Sequence, residues 1–184
     1  MTLDCFDLHE DDWGMIDLLP AENHAQAQAV VAEAVAHANA HRAPDGLGYT
    51  AVYIAPEPQV PLAARTLSLS TLQGLLGPGW ERFAQVASGY SSYREELPQA
   101  FAFTNGQSVL YGHQRDGLVQ SLHLHRPVDN PELLSTLHAL GQTLRLILED
   151  LWRDEVFALS DREALAHYLQ RADDEHTRTD PVDE

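Results

Sequence analysis

Apolar positions along this chain fall into segments of different period, and the breakers between them predict an element order. A short apolar run at 13–19, closed by Pro20, reads as a strand. Residues 21–42 carry Ala, Gln, Glu and Val without a breaker, which predicts a long helix. Ala43-Pro44-Asp45-Gly46 ends it, since proline cannot continue a helix and Asp-Gly favours a turn. Residues 49–55 alternate and are rich in β-branched and aromatic types, so a strand is expected there. Pro56, Pro58 and Pro61 then enforce an extended connection. A short strand is expected at 65–69. Ser70 caps a turn of helix stopped by Gly77-Pro78-Gly79, and 80–87 reads as a second short helix.

The strongest local signal follows. Residues 100–104 and 107–111 flank Asn105-Gly106, a pair that tolerates positive φ at both central positions of a type I′ hairpin turn. Arg115-Asp116-Gly117 offers a second turn into 118–125, giving an antiparallel meander. Asn130 and Pro131 supply a cap and an N1 proline for a helix expected to reach about Trp152. Along it Leu133, Leu137, Leu140, Leu144, Ile147 and Leu151 make a continuous apolar stripe. A short strand at 156–159 and a capping box of Ser160 with Glu163 precede a last helix through Leu169. The resulting division is an acidic flexible arm at 1–12, one globular domain at 13–170 and a disordered acidic tail at 171–184. The order predicts an α+β domain, with mixed α/β as the alternative, its helices packed on a mostly antiparallel sheet.

Charge changes the picture more than hydropathy does. The 184 residues contain no lysine; eleven Arg face 28 Asp and Glu, for a formal charge of −17. Residues 1–41 hold eight acids and no Arg. Such a balance disfavours nucleic acid or an anionic membrane as ligand and favours a basic protein partner. Cys5 is the sole cysteine, which excludes an intrachain disulfide and fits a reducing cytoplasm. Met1-Thr2-Leu3-Asp4 has neither the basic nor the apolar region of a signal peptide, so none is expected, and no apolar run approaches the roughly 20 residues of a membrane span. Arg in place of every Lys, with abundant Ala and Leu, fits the coding bias of a GC-rich bacterial genome.

Candidate chemistry is sparse. Glu33, His37 and His41 share one helix face at ligand spacing, but Ala38 stands where a zinc peptidase motif needs its glutamate, so two solvent-facing histidines are expected. His123 and His125 point to one side of a strand. With Gly117 they resemble the opening half of the cupin metal motif, and the chain then departs from it: Asp129 or Asn130 stands where Glu is required. They are expected on the wet face of a one-sided sheet. Cys5 sits among carboxylates that discourage its thiolate, Ser88-Gly89-Tyr90-Ser91-Ser92 lacks a nucleophile elbow, and Gly74, Gly77 and Gly79 have no lysine to complete a phosphate loop. No catalytic residue, metal ligand or cofactor is expected, and an enzyme is not.

Asp11-Asp12-Trp13-Gly14 near the start resembles the immunity proteins of bacterial polymorphic toxin systems. So do Trp152, the stretch Val156-Phe157-Ala158-Leu159-Ser160-Asp161, Ala164-Leu165 and Tyr168-Leu169 toward the end. The likeness is one of general character and assigns no family. It implies a small cytoplasmic protein that neutralises a cognate toxin by stoichiometric binding. The contact patch expected on this reading joins Glu10, Asp11, Asp12 and Trp13 to Asp150, Asp154 and Glu155. Alternatives are an acidic secretion chaperone, which would expose more apolar surface as a homodimer, a DNA-mimic inhibitor, and a metal enzyme built on His113, His123 and His125. Trp13 is either an anchor of that patch or a core aromatic.

Overall fold

The computed structural model describes residues 3–9, 13–44, 46–89 and 93–179, with side chains through Ala172. The strands are β1 Leu3–Leu8, β2 Ile16–Pro20, β3 Glu81–Ser88, β4 Glu95–Glu96, β5 Ala100–Thr104, β6 Val109–Arg115, β7 Leu118–Val119, β8 His123–His125, β9 Leu146–Asp150 and β10 Glu155–Ala158. The α-helices are α1 His24–Ala40, α2 Leu69–Leu76, α3 Pro131–Leu144 and α4 Arg162–Thr179. The architecture is one α+β domain. Its main path of strands runs β1-β3-β5-β6-β8-β2-β9-β10, with β4 beside β3 and β7 beside β6. Among the described residues only β1 and β3 pair parallel, and every other strand pairing is antiparallel.

One face of this sheet carries α2, α3 and α4 over a continuous apolar core. Leu18, Phe101, Phe103, Leu110, Leu124 and Leu148 meet Leu72 and Leu76 from α2, Leu133, Leu137 and Leu140 from α3, and Leu165 and Tyr168 from α4. Asn130 caps α3, its Oδ1 accepting from the N–H of Glu132 at 2.7 Å and of Leu133 at 3.4 Å. The opposite face holds a smaller cluster of Phe6, Leu8, Val86, Ala100, Ala102 and Tyr111, with Trp13 and Phe83 packed on it.

Several expectations are corrected. Residues 3–8 are the strand at one end of the sheet, paired with β3 and with Phe6 and Leu8 buried, and not a loose arm; Glu10, Asp11 and Asp12 lie outside the described residues. The helix expected to reach Trp152 stops at Leu144, where Arg145 adopts left-handed φ of 54°. The next five residues form β9, buried throughout between β2 and β10. Residues 81–88 are strand rather than helix, gaining β1, β4 and β5 as hydrogen-bonding neighbours. The stretch expected as a strand at 65–69 ends a 3₁₀ turn, Leu62–Arg65, and Ser68, two residues before the expected Ser70, caps α2. The hairpin at 100–111 forms, but its loop has four residues and Asn105 keeps negative φ; Asn105 Oδ1 instead accepts from the N–H of Gln107 and Ser108. Asp161, not Ser160, caps α4, accepting from the N–H of Glu163 and Ala164 at 3.1 Å each. That helix continues to Thr179, through much of the segment expected to be disordered.

Candidate functional site

Register brings together side chains that are far apart in sequence. Tyr111 on β6 faces His123 on β8, His123 faces Asp17 on β2, and Asp17 faces Glu149 on β9. Because side chains alternate along a strand, these four share the face opposite the three-helix layer. Tyr111 is fully buried, and its hydroxyl accepts from the N–H of Gly14 at 3.3 Å. His123 Nδ1 is paired with Asp17 Oδ1. Glu149 is 6% exposed, and its Oε1 has no hydrogen-bond partner. Burial first, and the Asp17 charge second, push the Glu149 carboxyl up to about 7.

Trp13 leans on the end of this row. Its ring stacks on His113 with centroids 4.7 Å apart, meets Tyr111 edge-on at 5.1 Å, and its Nε1 donates to Ser88 Oγ at 3.3 Å. Half-buried in this way, it is largely a wall of the second cluster. His113, His123 and His125 likewise pack against that cluster's aromatic rings and are half-buried, so the pair expected on a wet face, His123 and His125, is not there; burial, then the neighbouring His123, lowers the His113 pKa. His113 and His123 therefore do lie near one another, through Trp13, yet among the described residues no three His, Cys, Asp or Glu side chains converge as a metal site requires. Burial, then Asp7, pushes the Cys5 thiol up against the opposing pull of Arg94.

Residues 49–60, expected in part as a strand, form an extended strap pegged to α1 by its polar face. Asn23 Nδ2 donates to Val60 O and its Oδ1 accepts from Val60 N; Gln26 holds Glu57 O and Gln59 N in the same manner. Further along, Tyr53 donates to Glu33 Oε2 at 3.3 Å, His37 Nε2 approaches Ala51 O at 3.4 Å, and Thr50 N donates to His41 O. Helix numbers rise as strap numbers fall, so the two run antiparallel. Glu33 and His37 thus hold the strap by their side chains and His41 by its carbonyl; Glu33 is exposed, while the two histidines are half-buried rather than solvent-facing. Residues 52–55 make no backbone hydrogen bond to described residues. Their outward side chains, Val52 and Ile54, are each 85% exposed.

The strap borders a groove of about 530 Å³ that also takes in Met15, Val35 and Ala38, and Leu151, Trp152 and Asp154 from the turn between β9 and β10. Trp152 is 68% exposed and Tyr49 60%. The turn at 151–154 and the segment before β2 are tied by Leu151 N donating to Met15 O at 3.0 Å. Met15, two residues past Trp13, thus lies beside the 151–154 turn; Glu10, Asp11 and Asp12 of the expected contact patch lie outside the described residues, and the membership of its other end changes. Asp150 is 1% exposed and cannot face a partner. It fastens the turn instead, accepting from the N–H of Trp152 and Arg153 and, at 2.7 Å, from the Tyr168 hydroxyl. Asp154 is exposed, and Glu155 is half-buried in an ion pair with Arg171. The expected patch omits Val52, Ile54 and Trp152, although Trp152 sits among charges in an Asp-rich turn. No protein-family model, curated protein or solved structure matches this chain.

Proposed function

We propose that this chain is a non-catalytic binding protein of the cytoplasm, an immunity-type inhibitor that neutralises a basic bacterial toxin domain by stoichiometric contact. The observation that supports the reading is an exposed apolar strip within a highly acidic protein. Among the described residues six large apolar side chains are exposed, Leu47, Tyr49, Val52, Ile54, Tyr93 and Trp152, at 60–88% of full exposure, and four of the six fall within residues 47–54. Tyr49, Val52 and Trp152 line one groove. Contiguous apolar patches of this kind mark interaction surfaces on proteins that otherwise bury such groups. An exposed tryptophan amid neutralisable charge is the composition of an interface anchor. The net charge of −17 supplies long-range attraction for a basic partner and repels nucleic acid.

The test is co-expression with the product of the neighbouring gene, followed by binding in rising salt. The expected outcome is loss of that product's toxicity and a one-to-one complex whose association slows as ionic strength increases while its dissociation changes little. A neighbouring product that is harmless alone, or that stays toxic beside folded excess of this chain, overturns the reading. The exposed backbone and side chains of 52–55 favour one second reading, a chaperone that lends an extended edge to an unfolded secretion substrate. That protein would capture its substrate unfolded and have no effect on a folded toxin.

A further inference from the structure

Beside the groove, and sharing Leu151 with it, lies a partly open cavity of about 80 Å³ bordered by α1, the strap and the sheet. By the same measure one water needs only about 10–15 Å³. Leu19, Ala27, Val30 and Pro56 give it aliphatic walls, and Asp17 and Glu149 line it together from adjacent strands. The side-chain amides of Asn23 and Gln26, which also border it, are turned to the strap. Neither amide donates to Glu149 Oε1, which is buried without a hydrogen bond. An unsatisfied carboxylate beside a second one is a costly arrangement in the absence of a cation.

We propose that this cavity receives the ammonium head of a lysine side chain from the basic partner, with the methylenes along the aliphatic walls and the charge between Asp17 and Glu149. The inference rests on the partner reading above. Three observations select the occupant. The chain has no lysine of its own, so neither it nor a second copy can fill the site. No third acidic or histidine ligand converges there among the described residues, which disfavours a metal. The small volume suits a compact ammonium on a flexible apolar stem better than a planar guanidinium. The groups surrounding Glu149 are Asp17 and, through it, His123, together with Tyr53 of the strap, which is bonded to Glu33 of α1. Binding requires ionised Glu149, so affinity rises with pH up to its midpoint near 7 and levels off above it.

The experiment follows the Glu149 carboxyl by carbon-13 NMR across neutral pH in the presence of n-butylammonium, with tetramethylammonium and sodium at equal ionic strength as controls. Butylammonium is expected to lower the midpoint saturably by a full unit or more, while tetramethylammonium acts no differently from sodium. Glu149→Gln, which removes a buried charge and keeps the side-chain shape, is expected to weaken the toxin complex at least about thirtyfold and flatten its pH dependence. Butylammonium behaving like sodium in the wild-type protein overturns the pocket, even if a basic partner is captured. A saturable butylammonium response in a protein that captures no basic partner overturns the lysine occupant and the immunity reading together, and leaves a site for free primary amines. A captured partner whose affinity is unchanged by Glu149→Gln overturns lysine insertion alone.

Discussion

The two faces of the central sheet obey different rules although they are built from the same strands. On the face under α2, α3 and α4, Leu18 pairs with Leu148 and Leu110 with Leu124, and all four are at most 2% exposed. Shift by one residue and the same strands present Asp17, His123, Glu149 and Tyr111. Those groups are covered by α1, a strap without regular structure and the turn bearing Trp13. The first face is closed by apolar contact between the strands and the three helices. The second is closed by polar pegs and leaves a cavity, a groove and an unsatisfied carboxylate. Burial without satisfaction is where a ligand gains most from binding, so the capacity for recognition lies on the second face.

Adjacent substitutions in β9 give the most direct way to break that contrast. Leu148→Ala empties a fully buried site in the three-helix core and is expected to cost about 2–5 kcal/mol in chemical denaturation. Glu149→Gln, one residue on, is expected to do the reverse at alkaline pH. The fold holds Glu149's pKa near 7, above the ordinary glutamate value of 4.5, so it favours the protonated form. The stability this contributes is complete below the ordinary glutamate range and is lost as pH rises through about 7. Ionised Glu149 then costs roughly 3 kcal/mol at most. Glu149→Gln should melt higher than wild type at pH 8, at about 2–4 °C per kcal/mol, and the two should converge in mild acid. Equal melting temperatures at both pH values would mean that water relieves the carboxylate.

Gly141 tests the closed face from the other direction. A Cβ there would come within 2.5 Å of Leu159 Cβ and 2.6 Å of its backbone carbonyl carbon, where α3 meets the start of α4. Gly141→Ala gains helix propensity yet is expected to destabilise by about 1–3 kcal/mol, because overpacking outweighs a propensity gain near 1 kcal/mol. A neutral result would show that α3 and the 159–160 segment can separate cheaply, and would make the two faces less different in rigidity than their packing implies.

How much of this was legible in the sequence depended on whether the information was local. The hairpin around Asn105, the cap at Asn130 and the strand at β10 follow from turn and cap chemistry within a few residues. The break at Arg145 does not: Leu144, Ile147 and Leu151 extend a helical stripe, while Leu146 and Leu148 in the same stretch satisfy strand alternation, and a short buried run fits both periods. Tertiary pairing with β2 decides it. The strap failed for a related reason. Residues 49–55 carry a strand's alternation, but their partner is the polar face of a helix, and no strand pattern distinguishes the two. The candidate site was the least legible part. Tyr111, His123, Asp17 and Glu149 are joined only by register across four strands, and the one local hint was a glutamate embedded in an apolar run.

The smallest expected effect on stability is also the sharpest separation of folding from recognition. Trp152, Val52 and Ile54 are 68–85% exposed, so replacing them removes little buried area. The triple variant Val52→Ser, Ile54→Ser and Trp152→Ser should change stability by no more than about 0.5 kcal/mol for each site, the range of ordinary surface positions. The Asp150 bonds that fasten the turn run to the backbone of Trp152 and Arg153 and to Tyr168, and survive the loss of the indole. If the groove is the interface, Trp152→Ser alone should weaken the partner complex by about 2 kcal/mol or more, with the salt dependence of association unchanged because no charge is altered. If instead the triple variant unfolds markedly more easily, the strip is packing against something within the chain, and the open face is closed more firmly than its exposed side chains imply. Calorimetry and a binding titration on the same preparation separate these outcomes.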